Sequence, residues 1–172
     1  MPNKSLRLRT MDGVTGLLLG STVALTLLAI GPPALAASDD VEVGCLAKAI
    51  YFESRGESRF GMLAVGHVVM NRTRDRRFPR GICAVVNQGA KRGRGCQFSY
   101  ACDGLSDQPK DRAMWEESKT LARAIYYGRS IDPTRGALWF HRASIRPAWR
   151  SDFRRTARIG GHVFYTAKRD AA

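Results

Sequence analysis

Apolar residues recur along this chain with two periods, and each predicts its own kind of element. Across residues 41–55, Leu46, Ala49, Ile50 and Glu53 fall on one stripe at helical spacing, so a first helix ends its apolar face in a carboxylate. Ser38, Asp39 and Asp40 supply capping oxygens before it, and Gly56 stops it. Ser58 caps a second helix running to about Thr73. There Leu63, Ala64, Val65, Val68 and Val69 spread almost around the cylinder, the mark of a buried central helix. Ser106 and Asp107 begin a third helix, with Met114, Leu121, Ala122 and Ile125 inward and Gly128 at its end. A period of two appears in residues 96–100, which alternate like a short strand, and residues 137–140 and 162–166 also read as short strands. Residues 72–80 form a basic loop, and residues 88–95 a second one rich in glycine, lysine and arginine. Three main helices beside a small antiparallel sheet make an α+β chain of one domain.

The first 36 residues are of another kind. Lys4, Arg7 and Arg9 precede a charge-free apolar run over residues 14–30, and Pro32, Pro33 and Ala34-Leu35-Ala36 follow. A positive start, a short apolar stretch and a small-x-small site describe a signal peptide over residues 1–36, with residues 37–172 as the exported domain. The alternative is an uncleaved N-terminal anchor. Both place the domain outside the cytoplasm, in a periplasmic or extracellular location, without membrane insertion once the signal is removed. Cys45, Cys83, Cys96 and Cys102 all lie in the exported part, and an even number there implies disulfides. Four cysteines allow three pairings; the favoured one is Cys96–Cys102, closing a short loop, with Cys45–Cys83 tying the first helix to a later segment. No Cys-x-x-Cys or paired-histidine spacing offers a zinc site, so neither metal nor cofactor is expected.

Charge narrows the partners. Of the formal +13, residues 1–36 contribute Lys4, Arg7, Arg9 and Asp12, a net +2, which leaves +11 on the rest. Inside a cell such a balance would suggest nucleic acid. On an exported monomer it favours anionic polymers instead, including the carboxylate-bearing peptide stems of peptidoglycan, and no nucleic-acid partner is expected.

The chemistry concentrates in residues 49–58, AIYFESRGES. A glutamate at the end of an apolar stripe is partly desolvated, which raises its pKa and keeps it protonated, the form a glycosidic leaving oxygen needs. Glu53 fits that description. The plainer alternative is a surface glutamate paired with Arg55 or Arg59. Glu57 lies past Gly56, where a cap or structural ion pair is the better expectation than catalysis. Asp103 is the candidate second carboxylate, although Asp-Gly is most often a turn. Gln97, Ser99 and Tyr100 are candidate sugar-binding residues, and Phe98 a core residue. Asn71, on an apolar helix, is expected to satisfy backbone groups, with support of Glu53 as its functional alternative. His67, His141 and His162 read as structural, and Trp139, Trp149 and Tyr165 as core or sugar-stacking surface.

The segments AIYFESRGES, GMLAVGHVVMNR, RFPRGICAVVNQ and CQFSYACDG, followed in order by ALWFH and RIGGHVFYT, resemble the SleB-type cell-wall hydrolases, the family of spore-cortex-lytic enzymes. The resemblance covers nearly all of residues 37–172. It implies a lysozyme-like fold and cleavage of the glycan of peptidoglycan between N-acetylmuramic acid and N-acetylglucosamine, chiefly as a lytic transglycosylase. It places the catalytic glutamate at Glu53. Ser54 stands where alanine is frequent in the family and Ser58 where proline is common; neither removes a group the reaction needs. A lysozyme-type muramidase, an N-acetylmuramoyl-L-alanine amidase and a wall-binding module without activity are the alternatives.

Overall fold

The computed structural model describes residues 34–92 and 95–168; most of the expected signal segment, residues 1–33, lies outside them. Four helices precede a three-stranded sheet: α1 (Ala34–Glu53), α2 (Arg59–Arg74), α3 (Ile82–Val86), α4 (Arg112–Tyr126), then β1 (Trp139–Arg142), β2 (Phe153–Ile159) and β3 (His162–Ala167). The sheet is antiparallel in the order β1-β3-β2. Among the described residues no helix is long and apolar enough to cross a membrane.

α2 is the central element, as its all-round apolar pattern requires. Val69 faces a core built with Leu46, Ala49 and Ile50 of α1, Val85 of α3 and Leu121 and Ile125 of α4. Ala64 and Val68 face the other way, onto Ile159 and Phe164 of the sheet. Ser58 caps this helix, its hydroxyl accepting from the Gly61 N–H at 3.4 Å.

Four expectations need correction, the two helix starts because a distant group took over a local role and the two strands because local alternation misleads. α1 starts before Ser38-Asp39-Asp40; the carboxylate of Asp39 serves Tyr126, whose hydroxyl donates to it at 2.6 Å. α4 starts at Arg112, not Ser106. Asp111 caps it by accepting from the Met114 N–H at 3.0 Å, and the Tyr51 hydroxyl takes the N–H groups of Lys110 and Asp111, each at 3.0 Å. Residues 96–100 alternate truly, with Phe98 and Tyr100 buried between exposed neighbours, yet they pair with no strand and close into a 3₁₀ turn at Ser99–Ala101. β2 was not expected at all. Its exposed Arg154, Arg155 and Arg158 hide the pattern, and a bulge between Arg155 and Ala157 shifts it midway. The unexpected α3 is likewise stabilised from afar: Glu42 of α1 accepts from the N–H groups of Ile82 and Cys83, orphan donors at its first turn.

The structure joins Cys45 to Cys83 and Cys96 to Cys102, and no described cysteine is free. The first link ties α1 to α3 across 38 residues. Loss of a disulfide from a small domain costs on the order of 2–5 kcal/mol. The Cys45→Ser/Cys83→Ser variant should therefore melt in urea at a clearly lower midpoint, and peptide mapping of the native protein without reductant should find no thiol. An unchanged midpoint would deny the link its role.

Candidate active site

Glu53 is the last residue of α1. The chain leaves the helix through the buried Ser54, whose hydroxyl donates to the Ile50 carbonyl, and through Gly56 at φ +80°. Neither neighbouring arginine pairs with Glu53. Arg55 lies over the rings of Tyr51 and Phe52, at 5.3 and 5.0 Å, and Arg59 bonds Glu117 at 2.6 Å. The surface-pair alternative therefore does not describe this carboxylate.

Two cavities meet at Glu53 and Arg142, which line both. One, of about 570 Å³, is walled by Trp139, Phe140, His141, Trp149 and Phe153, with Gln97 and the buried Arg72 also on its lining. The other, of about 440 Å³, is lined by Phe52, Ser99, Tyr100, Asp103 and Asp107. Burial pushes the Glu53 carboxyl above its ordinary pKa; the cations of Arg142 and Arg72 and a backbone hydrogen bond from Ser99 pull it back in part. Arg72 is itself held by ring faces, Phe78 at 5.2 Å and Phe98 at 5.4 Å, while its Nε donates to the Leu138 carbonyl at 2.8 Å. Its Nη1 is buried without a hydrogen-bond partner, and burial draws its pKa down to about 10, so it is still a cation at neutral pH.

The other candidates separate cleanly. Gln97 and Ser99 are exposed on the cavity walls, whereas Tyr100 is buried beneath, stacked on Phe52 at 4.5 Å with burial raising its hydroxyl pKa. Asp103 is exposed and accepts from the Leu105 N–H at 2.8 Å, a turn bond as the Asp-Gly pair suggested. Asn71 donates to Asp132 at 2.9 Å and to the Ala137 carbonyl at 3.1 Å, so it secures the loop before β1. Glu57 reaches across the fold: both its oxygens accept from the Gly161 N–H at 3.1 Å, and Oε1 stands 3.3 Å from His162 Nδ1. The β2–β3 turn at Gly160-Gly161 is glycine because a Cβ at either place would strike the Glu57 carboxylate.

His67 bonds Ser130 at 2.9 Å; His141 bonds the Arg142 carbonyl at 2.8 Å and the Tyr165 hydroxyl at 3.0 Å. Since a carbonyl only accepts, His141 carries its proton on Nδ1 and takes the tyrosine proton at Nε2. Among the described residues no cluster of three or more His, Cys, Asp or Glu is placed to hold a metal. Sequence reasoning missed Arg72 and Arg142. Each sits in a run that reads as a basic surface, and only the fold turns them toward Glu53.

Two outcomes follow from this geometry. Arg142→Met removes a charge that favours the carboxylate, so the Glu53 pKa should rise further in a carbon-13 side-chain titration; an unmoved curve would remove Arg142 from the site's electrostatics. Glu57→Ala should destabilise the fold by about 1.5–3 kcal/mol, the scale of a hydrogen bond to a charged group, as measured by chemical denaturation.

Residues 56–165 match the family described as Cell Wall Hydrolase, a match that opens three residues beyond Glu53 and runs through the sheet. The spore cortex-lytic enzyme of Halalkalibacterium halodurans is 28% identical over 127 residues, covering 73% of this chain and 34% of that protein. The spore cortex-lytic enzyme of Bacillus cereus is 29% identical over 125 residues, 72% of this chain and 43% of that protein. The chain thus spans less than half the length of these relatives. The crystal structure of the catalytic domain of the Bacillus cereus SleB protein superposes with a TM-score of 0.60 at 25% identity, covering 74% of this chain and 91% of that one. The catalytic domain of the germination-specific lytic transglycosylase SleB from Bacillus anthracis shares the fold at a TM-score of 0.59 and 24% identity, over 79% of this chain and 100% of that one. With more than half of its length matched and the same α+β fold in these solved relatives, the chain belongs to the cell wall hydrolase family.

Proposed function

We propose that this protein is an exported peptidoglycan glycosidase that cuts between N-acetylmuramic acid and N-acetylglucosamine as a lytic transglycosylase, with Glu53 as its acid and then its base. One observation carries the reading: Glu53 is a half-buried carboxyl with a raised pKa, placed where two cavities meet, and among the described residues it is the only carboxylate on the aromatic-walled one. Aromatic faces are suited to sugar rings, and a protonated acid is what the leaving oxygen needs.

The steps balance with Glu53 alone. Its proton passes to the glycosidic oxygen as the C1–O bond of the muramic acid breaks and positive charge develops at C1. The resulting carboxylate takes the proton from the same sugar's C6 hydroxyl, whose oxygen bonds C1 to close a 1,6-anhydro ring. Glu53 is again protonated, and no water is consumed. Arg142 and Arg72 favour the carboxylate formed midway, while burial favours the acid at rest. A muramidase needs a second carboxylate to handle water. Asp103 shares the smaller cavity with Glu53 and is the candidate for that reaction, but its side chain is committed to a turn. Export agrees with the two disulfides, which persist in oxidising compartments.

Glu53→Gln keeps shape and hydrogen-bonding capacity but not the proton. Release of muropeptides from purified sacculi should fall about 10²–10⁴-fold, the usual worth of general acid–base catalysis, while sedimentation with sacculi persists. Wild-type activity should decline as pH rises through the elevated Glu53 pKa, because the acid form is the reactive one. Mass spectrometry should find products lighter than hydrolysed ones by a water. Hydrated products abolished by Asp103→Asn would establish the muramidase instead, and full activity in Glu53→Gln would end the glycosidase reading.

A further inference from the structure

The largest of the described cavities, about 720 Å³, is away from Glu53, beside the loop between α2 and α3. Arg74 at the end of α2 and Arg76 and Arg80 of that loop are exposed and line it. Both carboxylates on its lining are already occupied. Asp75 accepts from Arg77 Nε at 2.8 Å and Nη2 at 2.7 Å, and Glu42 accepts from the N–H groups of Ile82 and Cys83. None of the three lining arginines makes an ion pair among the described residues. Three cations therefore face a cleft whose floor, Met70, Phe78 and Ile82, is apolar.

This cleft is one aromatic pair away from the proposed glycan groove. Phe78, on its floor, packs on Trp139 with ring centroids 5.9 Å apart, and Trp139 lines the aromatic-walled cavity at Glu53. Arg77 lies over the other partner of that wall, 5.0 Å from the Trp139 ring. A stem branching from a sugar in that groove and crossing this wall would meet the arginines.

We propose that this cleft is a second substrate site, which binds the free carboxylates of the peptide stems that branch from the glycan. The inference rests on the peptidoglycan reading above and adds the part of the polymer that reading does not use. Guanidinium groups bind carboxylates in a planar, two-toothed geometry, and the apolar floor suits the aliphatic portions of a short peptide. A phosphate-bearing polymer would satisfy the arginines but would gain nothing from Met70, Phe78 and Ile82. The site gives the enzyme a preference for strands that still carry stems over stripped strands.

The test compares intact sacculi with the same glycan after an amidase has removed its stems. Arg76→Glu/Arg80→Glu reverses two charges that lie on neither cavity at Glu53. Wild type should favour intact strands by about fivefold or more in apparent kcat/KM, a modest factor because exposed charge pairs are individually weak. The variant should lose that preference, keep its melting temperature and cut stripped strands at the wild-type rate. Equal wild-type rates on both substrates, or a variant impaired equally on both, would overturn the proposal. A second measurement does not depend on cleavage. In nitrogen-15 spectra, a synthetic stem tripeptide should shift the Arg76 and Arg80 signals of the wild type and Glu53→Gln proteins alike. Equal shifts with inorganic phosphate, or none with the peptide, would overturn it also. If wild type cleaves neither polymer, the glycosidase reading fails, and the peptide titration still decides the cleft.

Discussion

The bond between the Glu57 carboxylate and the Gly161 N–H closes the structure across 104 residues. Glu57 sits between the end of α1 and the start of α2, and Gly161 is in the turn that joins β2 to β3. Besides this clasp, Asn71 and Arg72 of α2 bond the Ala137 and Leu138 carbonyls just before β1, while the β2–β3 side packs through one apolar cluster, Ala64 and Val68 of α2 against Ile159 and Phe164. That cluster alone fixes a distance but permits a slide, because apolar contact has no direction. The carboxylate is directional, and it fixes the slide. Arg142 pairs with His162, next to Gly161, in the β1–β3 ladder. A shift of the turn would therefore carry Arg142 and the aromatic wall away from Glu53. Glu53 and Glu57, four residues apart, divide the labour on the proposed reading: one would present a proton, and the other sets the geometry around it.

The protonation of Glu53 is set by opposing forces, of which burial is the largest. Burial penalises the Glu53 carboxylate, and two guanidinium groups and a backbone N–H favour it. Were burial unopposed, the proton would be hard to lose; were the cations unopposed, it would be gone before substrate arrived. Arg72 contributes at some cost to itself, because a buried cation forfeits hydration. The faces of Phe78 and Phe98 and the Leu138 carbonyl offset part of that cost, and Nη1 stays unfilled. Its position on the buried side of α2 explains how a basic residue at the end of an apolar helix reaches the chemistry.

What the sequence made legible was whatever depends on local periodicity. The stripe ending in Glu53, the all-round burial of α2 and the stop at Gly56 each follow from spacing within one element, and the structure has them. Less legible, the Cys45–Cys83 link aside, was what long-range partners set. Asp39, Glu42 and Tyr51 look like an ordinary cap, a surface charge and a core ring, yet each serves a segment more than 35 residues away. β2 escaped notice because three arginines and a bulge mask its alternation, and residues 96–100 misled because burial alternates there without a ladder. For the site the division is the same. Glu53 was visible from its helix, while Arg72 and Arg142 became neighbours of it only through packing.

The cations bear on the choice between one and two carboxylates. In the proposed reaction positive charge grows at C1 close to Arg142, which by itself would oppose the step. The opposition is lessened if Glu53 releases its proton as that charge develops, since the new carboxylate then offsets the charge at C1. Arg142 and Arg72 thus couple proton transfer to bond cleavage. A long-lived cation waiting for water would meet no second carboxylate on the aromatic-walled side among the described residues, where the remaining lining is aromatic, aliphatic, amide, histidine and guanidinium. Capture by a hydroxyl already on the sugar is faster than capture by a water that must first be bound, because attack within one molecule carries a high effective concentration. On the proposed reading, ring closure asks of the site one carboxylate and no bound water, and the groups around Glu53 are compatible with that demand.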